Sequence, residues 1–264
     1  MTDWLHVVEG EAPLIVSVPH AGIGLPGEIA GLRSLAMARH DADHHVGKLY
    51  AFAAEMGATL IETSISRSVI DVNRDPSGAS LYPGQVTTGL CPVETFAGVP
   101  LYSDGQEPDR EEITRRRTHY FDPYHAVLKA QIARLRSLHP AVVLYDAHSI
   151  RSHVPRLFEG ELPQFNIGSF GGASCAPALT QAVATQCAGH SHIVNGRFKG
   201  GWITRHYGNP AGGVHAIQME LAMSGYLDEA GDWPPIWDAA RASALQPILR
   251  QILTACLSFA KDQT

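Results

Sequence analysis

The chain is poor in cysteine, carries no excess of basic charge and has no long apolar run. Each absence removes a class of function. The four cysteines (Cys91, Cys175, Cys187 and Cys256) are scattered, with no CxxC pair, which reads as reduced thiols in a cytoplasmic protein. Twenty Lys and Arg against 26 Asp and Glu give a net charge of −6, so no broad basic surface for nucleic acid is implied. No apolar run approaches the ~20 residues needed to span a bilayer. The opening MTDWLHVVEGEAP is acidic and lacks the apolar core of a signal peptide. Internal repeats and low-complexity tracts are also absent.

What is present suits one large α/β domain over residues 1–264, with 45% hydrophobic residues to fill its core. LIVSV (14–18) is a continuous apolar run, as in a buried strand, and it stops at Pro19 before the loop HAGIGLPG. Apolar residues recur at helical spacing from about Asp43 to Met56, and Gly57 is a suitable helix stop. ATLIETSIS (58–66) is a second strand. The stretch 76–108, rich in Pro, Gly, Ser and Thr, predicts a long irregular segment suited to a lid. An amphipathic helix follows over 109–138, broken near Pro123. Then come the strand AVVLYDAHS, a strand in PQFNIGSF, a helix over 175–188, a turn-rich region HIVNGRFKGGWITRHYG, the strand VHAIQMELA and a closing helix over 235–261. Strands alternating with helices imply a three-layer α/β/α sandwich around a mixed, mainly parallel sheet. Ligands of such sheets sit outside the carboxyl ends of the strands.

Those ends are polar. LIVSVPH reaches His20, TLIETSISR leads to Arg67, VIDVNR brings Asn73 and Arg74, VVLYDAHS ends at Asp146, His148 and Ser149, and AIQME ends at Glu220. If the strands are parallel neighbours, these groups converge. Two histidines and a carboxylate make a catalytic zinc site whose fourth position is left to water, and the chain has 14 histidines to draw on. The acid lies between the two histidines, at Asp43 or, as the alternative, Asp41, in RHDADHH. Asp43 is preferred because it sits where the helix begins; Asp41 suits a cap or supporting position. Glu220 suits a general base that activates the water, and Asp146 suits a hydrogen-bonded brace for His148.

Taken singly, each signal is weak. A lone Pro-His is usually a satisfied loop histidine, and Glu220 alone is more often a cap. His40, His119, His125, His139, His190 and His192 read as surface residues, and His44 and His45 as exposed helix positions. Arg67, Arg74 and Arg205 lie beside turns, which suits bidentate capture of an anionic substrate with more than one carboxylate; the bland alternative is bracing by Asp71 or Asp75. Arg115, Arg116 and Arg117 read as a solvated helix face. GRFKGG (196–201) is a weak anion-loop signal.

SVPHAGIGLP, DADHHVGKLYAFA, SRSVIDVNRDP, YDAHSI, NGRFKGGWITRHYG and HAIQMELA, in this order and spacing, together resemble the N-formylglutamate amidohydrolase family. The resemblance runs from about residue 12 to 255, and more remotely it extends to the zinc carboxypeptidases and aspartoacylase. It implies a zinc-dependent hydrolase, one ion per chain, that cleaves N-formyl-L-glutamate to formate and L-glutamate in histidine degradation. By the same likeness Asn73 and Arg74 bind one substrate carboxylate and Arg67 helps stabilise the oxyanion; Arg205 is the candidate for the other carboxylate, with Lys199 and Tyr207 as further substrate-binding candidates. The remote relatives carry their acid three residues after the first histidine; here that position is Ile23, so the acid comes from further along. Cobalt, manganese or iron suit the same ligands. The rival expectations are a hydrolase of another N-acyl amino acid, a carboxypeptidase-like enzyme, or a metal-free binding protein.

Overall fold

A computed structural model describes residues 3–231 and 233–263. LIVSV forms β2 (Leu14–Val18), buried at every position, as expected of a strand covered on both faces. Around it a seven-stranded sheet is ordered β1-β3-β2-β4-β7-β5-β6. The strands are β1 (Leu5–Val8), β3 (Thr59–Thr63), β4 (Val142–Ile150), β5 (Phe165–Gly168), β6 (His192–Val194) and β7 (Val214–Ala222). The four central strands, β3, β2, β4 and β7, run parallel. β1 and β5 pair antiparallel to β3 and β7, and β6 runs parallel to β5. The sheet is therefore mixed and mainly parallel.

Successive side chains of a strand point to opposite faces, and the core divides accordingly. On one face Leu14, Val16, Val143, Tyr145, Ile217 and Met219 pack with residues of α1 (Val46–Tyr50), α4 (Pro177–Gln186) and α6 (Ala239–Lys261). On the other, Ile15, Ile61, Val142, Leu144 and Ala216 pack with Tyr124, Leu128 and Ile132 of α3 (Asp122–Arg136) and Ile203 of α5 (Trp202–Tyr207). The result is three layers. Among the described residues no helix is long and apolar enough to cross a membrane.

The expected elements differ from the structure in four places. The helix expected from Asp43 starts only at Val46, because His45 takes left-handed backbone (φ 63°) and interrupts it; the chain continues as 3-10 turns to Met56, and Gly57 ends it at φ 76°. The break near Pro123 takes the form of a π-helical turn at Arg117–Phe121, joining α2 (Arg110–Arg116) to α3 without a gap. A widened turn accommodates a residue with no N–H to donate. The region expected to be all turn contains β6 and α5. β1, not anticipated, pairs at the sheet edge with alternate residues exposed. The segment 76–108 contains no helix or strand, as expected.

Leu253, fully buried in the middle of α6, tests the helix–sheet packing. Leu253→Ala should lower the unfolding free energy by about 3 kcal/mol, since truncating a buried leucine loses transfer energy and leaves a void. Urea titration followed by circular dichroism measures it.

Candidate active site

The sheet face that is apolar low down turns polar at the carboxyl ends of β2, β4 and β7. Along that face Val142 and Leu144 give way to Asp146 and His148, Val214 and Ala216 to Gln218 and Glu220, and Ile15 to Ser17. Strand register aligns them: Ser17 faces Asp146 across β2–β4, and His148 faces Glu220 across β4–β7. Ser17 donates to Asp146 Oδ1 at 3.0 Å and meets the Tyr124 hydroxyl at 2.8 Å. Asp146 Oδ2 accepts from Asn73 Nδ2 at 3.1 Å and lies 2.9 Å from His148 Nε2, which Asn73 Nδ2 also approaches to 2.9 Å.

His20 lies two residues beyond β2, and its backbone carbonyl accepts from the Asp43 N–H at 2.9 Å. The contact brings the DADHH segment back over the strand end. His20 Nε2 donates to Asp71 Oδ1 at 2.7 Å. Each imidazole thus sets its Nε2 against a buried carboxylate and turns its Nδ1 inward. The two Nδ1 atoms stand 3.1 Å apart. Asp43 Oδ2 lies 3.2 Å from that of His148 and 3.7 Å from that of His20. Atoms bonded to a tetrahedral zinc at ~2.0–2.2 Å lie about 3.3–3.5 Å from one another, so this buried trio fits such an ion. Ser149 N–H (3.1 Å) and Arg67 NH1 (3.3 Å) orient the Asp43 carboxylate. Asp41 is not in the trio: its carboxylate accepts from Phe96 N and His40 Nδ1, 55 residues ahead and one residue back in the chain.

A cleft opens over the trio. It is lined by His20, His148, Glu220, Gln218, Asn73 and three guanidiniums, with Tyr82, Val86, Thr87, Thr88 and Phe96 supplied by the irregular segment 76–108. Arg67 lies against the Phe96 ring and donates from NH2 to Asp71 Oδ2 at 2.7 Å. Arg74 is half-buried. It donates to Thr88 Oγ1 at 3.1 Å, but its Nε, 3.5 Å from Asp71, makes no hydrogen bond. Asn73 lines the cleft yet is engaged within the protein. Besides bonding Asp146, it accepts through Oδ1 from Ile203 N at 2.7 Å, and the α5 turn packs so closely that a Cβ on Gly201 would come within 2.4 Å of its Nδ2.

Three residues expected to bind substrate lie outside the cleft lining. Arg205 is turned onto its own turn, donating to Gly200 O (2.9 Å) and Leu81 O (2.7 Å) while stacking on Tyr82 and Phe170. Lys199 is exposed. The Tyr207 hydroxyl meets His125 Nδ1 at 2.9 Å. The third guanidinium is that of Arg197, which the sequence reading does not single out, although its segment GRFKGG is noted there as an anion-loop signal. Asp71 was read only as an arginine brace; it also holds His20. His44, expected on an exposed face, is buried beside Trp233.

Four buried carboxylates share this site: Asp43, Asp71, Asp146 and Glu220. Burial opposes ionisation of Asp71, but the charges of His20, Arg67 and Arg74 outweigh it and hold the carboxyl well below the usual range. Asp43 is likewise lowered, by hydrogen bonds from His148 and His20 against its burial. Glu220 goes the other way. Burial, with the nearby Asp43 charge and against the attraction of His148, pushes it up to about 8. A bound cation would pull it back toward neutrality. One carboxyl of raised proton affinity thus stands beside two that stay ionised.

Comparison with known proteins agrees with this reading. Residues 12–227 match the family described as N-formylglutamate amidohydrolase. Two N-formylglutamate deformylases, from Pseudomonas putida and Pseudomonas aeruginosa, are each 44% identical to the chain. They cover 97% and 100% of it and 96% and 99% of their own lengths. The crystal structure of an N-formylglutamate amidohydrolase from Ralstonia eutropha JMP134 superposes with a TM-score of 0.80 at 23% identity, covering 98% of both chains. That likeness speaks to the fold.

Two outcomes test the geometry. Asp71→Asn keeps a hydrogen-bond acceptor for His20 but removes the charge behind it, so zinc should be held ~10- to 100-fold less tightly; competition with a chromogenic chelator measures this. The second concerns chelator-treated protein. Folded Glu220 keeps its proton up to about 8, whereas the ordinary value for the unfolded chain is 4.5. Between those values the unfolded state binds fewer protons, so the contribution of Glu220 to stability falls as pH rises through the window. Urea unfolding at a series of pH values should show that slope reduced in Glu220→Gln.

Proposed function

The chain belongs to the N-formylglutamate amidohydrolase family, and from that premise we propose that it hydrolyses N-formyl-L-glutamate to formate and L-glutamate, as a cytoplasmic enzyme of histidine degradation acting as one catalytic unit. One divalent cation, zinc by the chemistry of its donors, would be held by His20, Asp43 and His148. The observation that carries this reading is the convergence of two imidazole Nδ1 atoms and a carboxylate oxygen on one buried point, beside a carboxyl of raised proton affinity. A cation there supplies Lewis acidity, which polarises a carbonyl and makes water a better nucleophile near neutral pH.

The chain's own residues do the remainder. Glu220 Oε1, the oxygen that Gln218 does not engage, accepts a proton from the attacking water. It then delivers that proton to the departing amine nitrogen. Arg67, already fixed by Asp43 and Asp71, presents positive charge to the cleft where oxyanion charge develops, and it needs no rearrangement to do so. The unpartnered Arg74 Nε offers a buried donor to a substrate carboxylate. Asn73 supports the site from behind by holding Asp146 and the start of α5. Four free, buried cysteines accord with a reducing compartment.

Glu220→Gln keeps the shape of the site and removes its proton acceptor. Formate release from N-formyl-L-glutamate should fall at least ~1000-fold, while one equivalent of zinc, measured by atomic absorption, stays bound. Activity within tenfold of the parent would remove Glu220 from the mechanism.

A further inference from the structure

Arginine charge inside the cleft is not evenly matched. Arg67 is paired with Asp43 and Asp71, and Arg74 lies 3.5 Å from Asp71. Arg197, among the described residues, has no carboxylate within ion-pair distance. Its guanidinium is nonetheless held firmly. Nε donates to Leu157 O and NH2 to Val86 O, each at 2.9 Å, and the plane lies against the Tyr82 and Phe198 rings, 5.3 and 5.5 Å from their centroids. Neutral carbonyls fix its direction without cancelling its charge, and among the described residues NH1 has no acceptor. A fixed, uncompensated cation lining a cleft is a receptor for an anion.

The position of Arg197 says which anion. Arg74 touches Asp71, which touches the ring of His20, so Arg74 sits one contact from the metal trio. A substrate group close to the scissile amide belongs there. Arg197 touches neither the trio nor its supporting carboxylates; it hangs from the segments carrying Val86 and Leu157, at the outer wall of the cleft. We propose that Arg197 binds the distal, side-chain carboxylate of the substrate and makes the enzyme selective for N-formyl amino acids with an acidic side chain. This deepens the proposed function and rests on it. The carboxylate replaces solvent at NH1, and the Tyr82 and Phe198 rings help hold the guanidinium in place.

The test compares N-formyl-L-glutamate with N-formyl-L-glutamine, which has the same shape and no side-chain charge, in the metal-loaded parent, Arg197→Met and Arg197→Lys. In the parent kcat/KM should favour the glutamate compound. Arg197→Met should lower its kcat/KM ~100-fold, chiefly through KM, as expected for loss of a charge-assisted contact, and leave the glutamine compound within about threefold. Arg197→Lys, which keeps the charge, should retain part of the preference. If Arg197→Met loses both substrates in equal proportion, Arg197 is a tie between loops and the assignment is overturned; undiminished discrimination overturns it as well. Calorimetric binding of L-glutamate and L-glutamine to the same proteins separates the two levels of inference. If the parent hydrolyses neither formyl compound but prefers glutamate over glutamine only when Arg197 is present, the functional proposal fails and the Arg197 assignment stands.

Discussion

The site depends on the register between β2, β4 and β7. Because side chains alternate along a strand, a slip of one residue would turn Asp146 and His148 into the opposite layer and bring Tyr145 and Ala147 into the cleft. The register is held by what lies below. Val142, Leu144, Val214 and Ala216 are on the same face and are buried against α3 and α5, so the apolar half of each strand fixes the placement of its polar half. Hydrophobic burial thus positions the charged groups, and the Ser17–Asp146 and Tyr124–Ser17 contacts join the two regimes at their boundary.

Burying so many ionisable groups is costly unless each is compensated. Compensation is nearly complete at Asp71, which accepts from His20, Arg67 and the Asn73 N–H and sits near Arg74. Within the cleft, among the described residues, it is less complete at the inward face of the His20–Asp43–His148 trio, at the Arg74 Nε and on the outward side of Arg197. Those are where a cation and two carboxylates are proposed to sit.

Much of this was legible in the sequence, for a physical reason. LIVSVPH, VLYDAHS and AIQME each pass from apolar to polar within a few residues, and covalent order alone puts those groups at strand ends. Parallel pairing then gathers His20, His148 and Glu220. Side-chain direction in the glycine-rich segment was not legible. Arg197 and Arg205 are eight residues apart in similar surroundings, and the carbonyls that hold them differ: remote Val86 and Leu157 for one, remote Leu81 and nearby Gly200 for the other. Nor was α5 visible as a helix. WITRHY spans six residues, and its first turn is stabilised by Asn73 Oδ1, 130 residues away in the chain. Asp43 in place of Asp41 could be favoured in advance but not decided, since the left-handed backbone at His45 shapes the approach of that loop.

Asp71 serves both the ring of His20 and the guanidiniums of Arg67 and Arg74. With the cation and the anion bound as proposed, both would draw on a single carboxylate, and neither affinity could be tuned alone. By reciprocity, whatever the ion added to the hold on the anion, the anion would return to the hold on the ion.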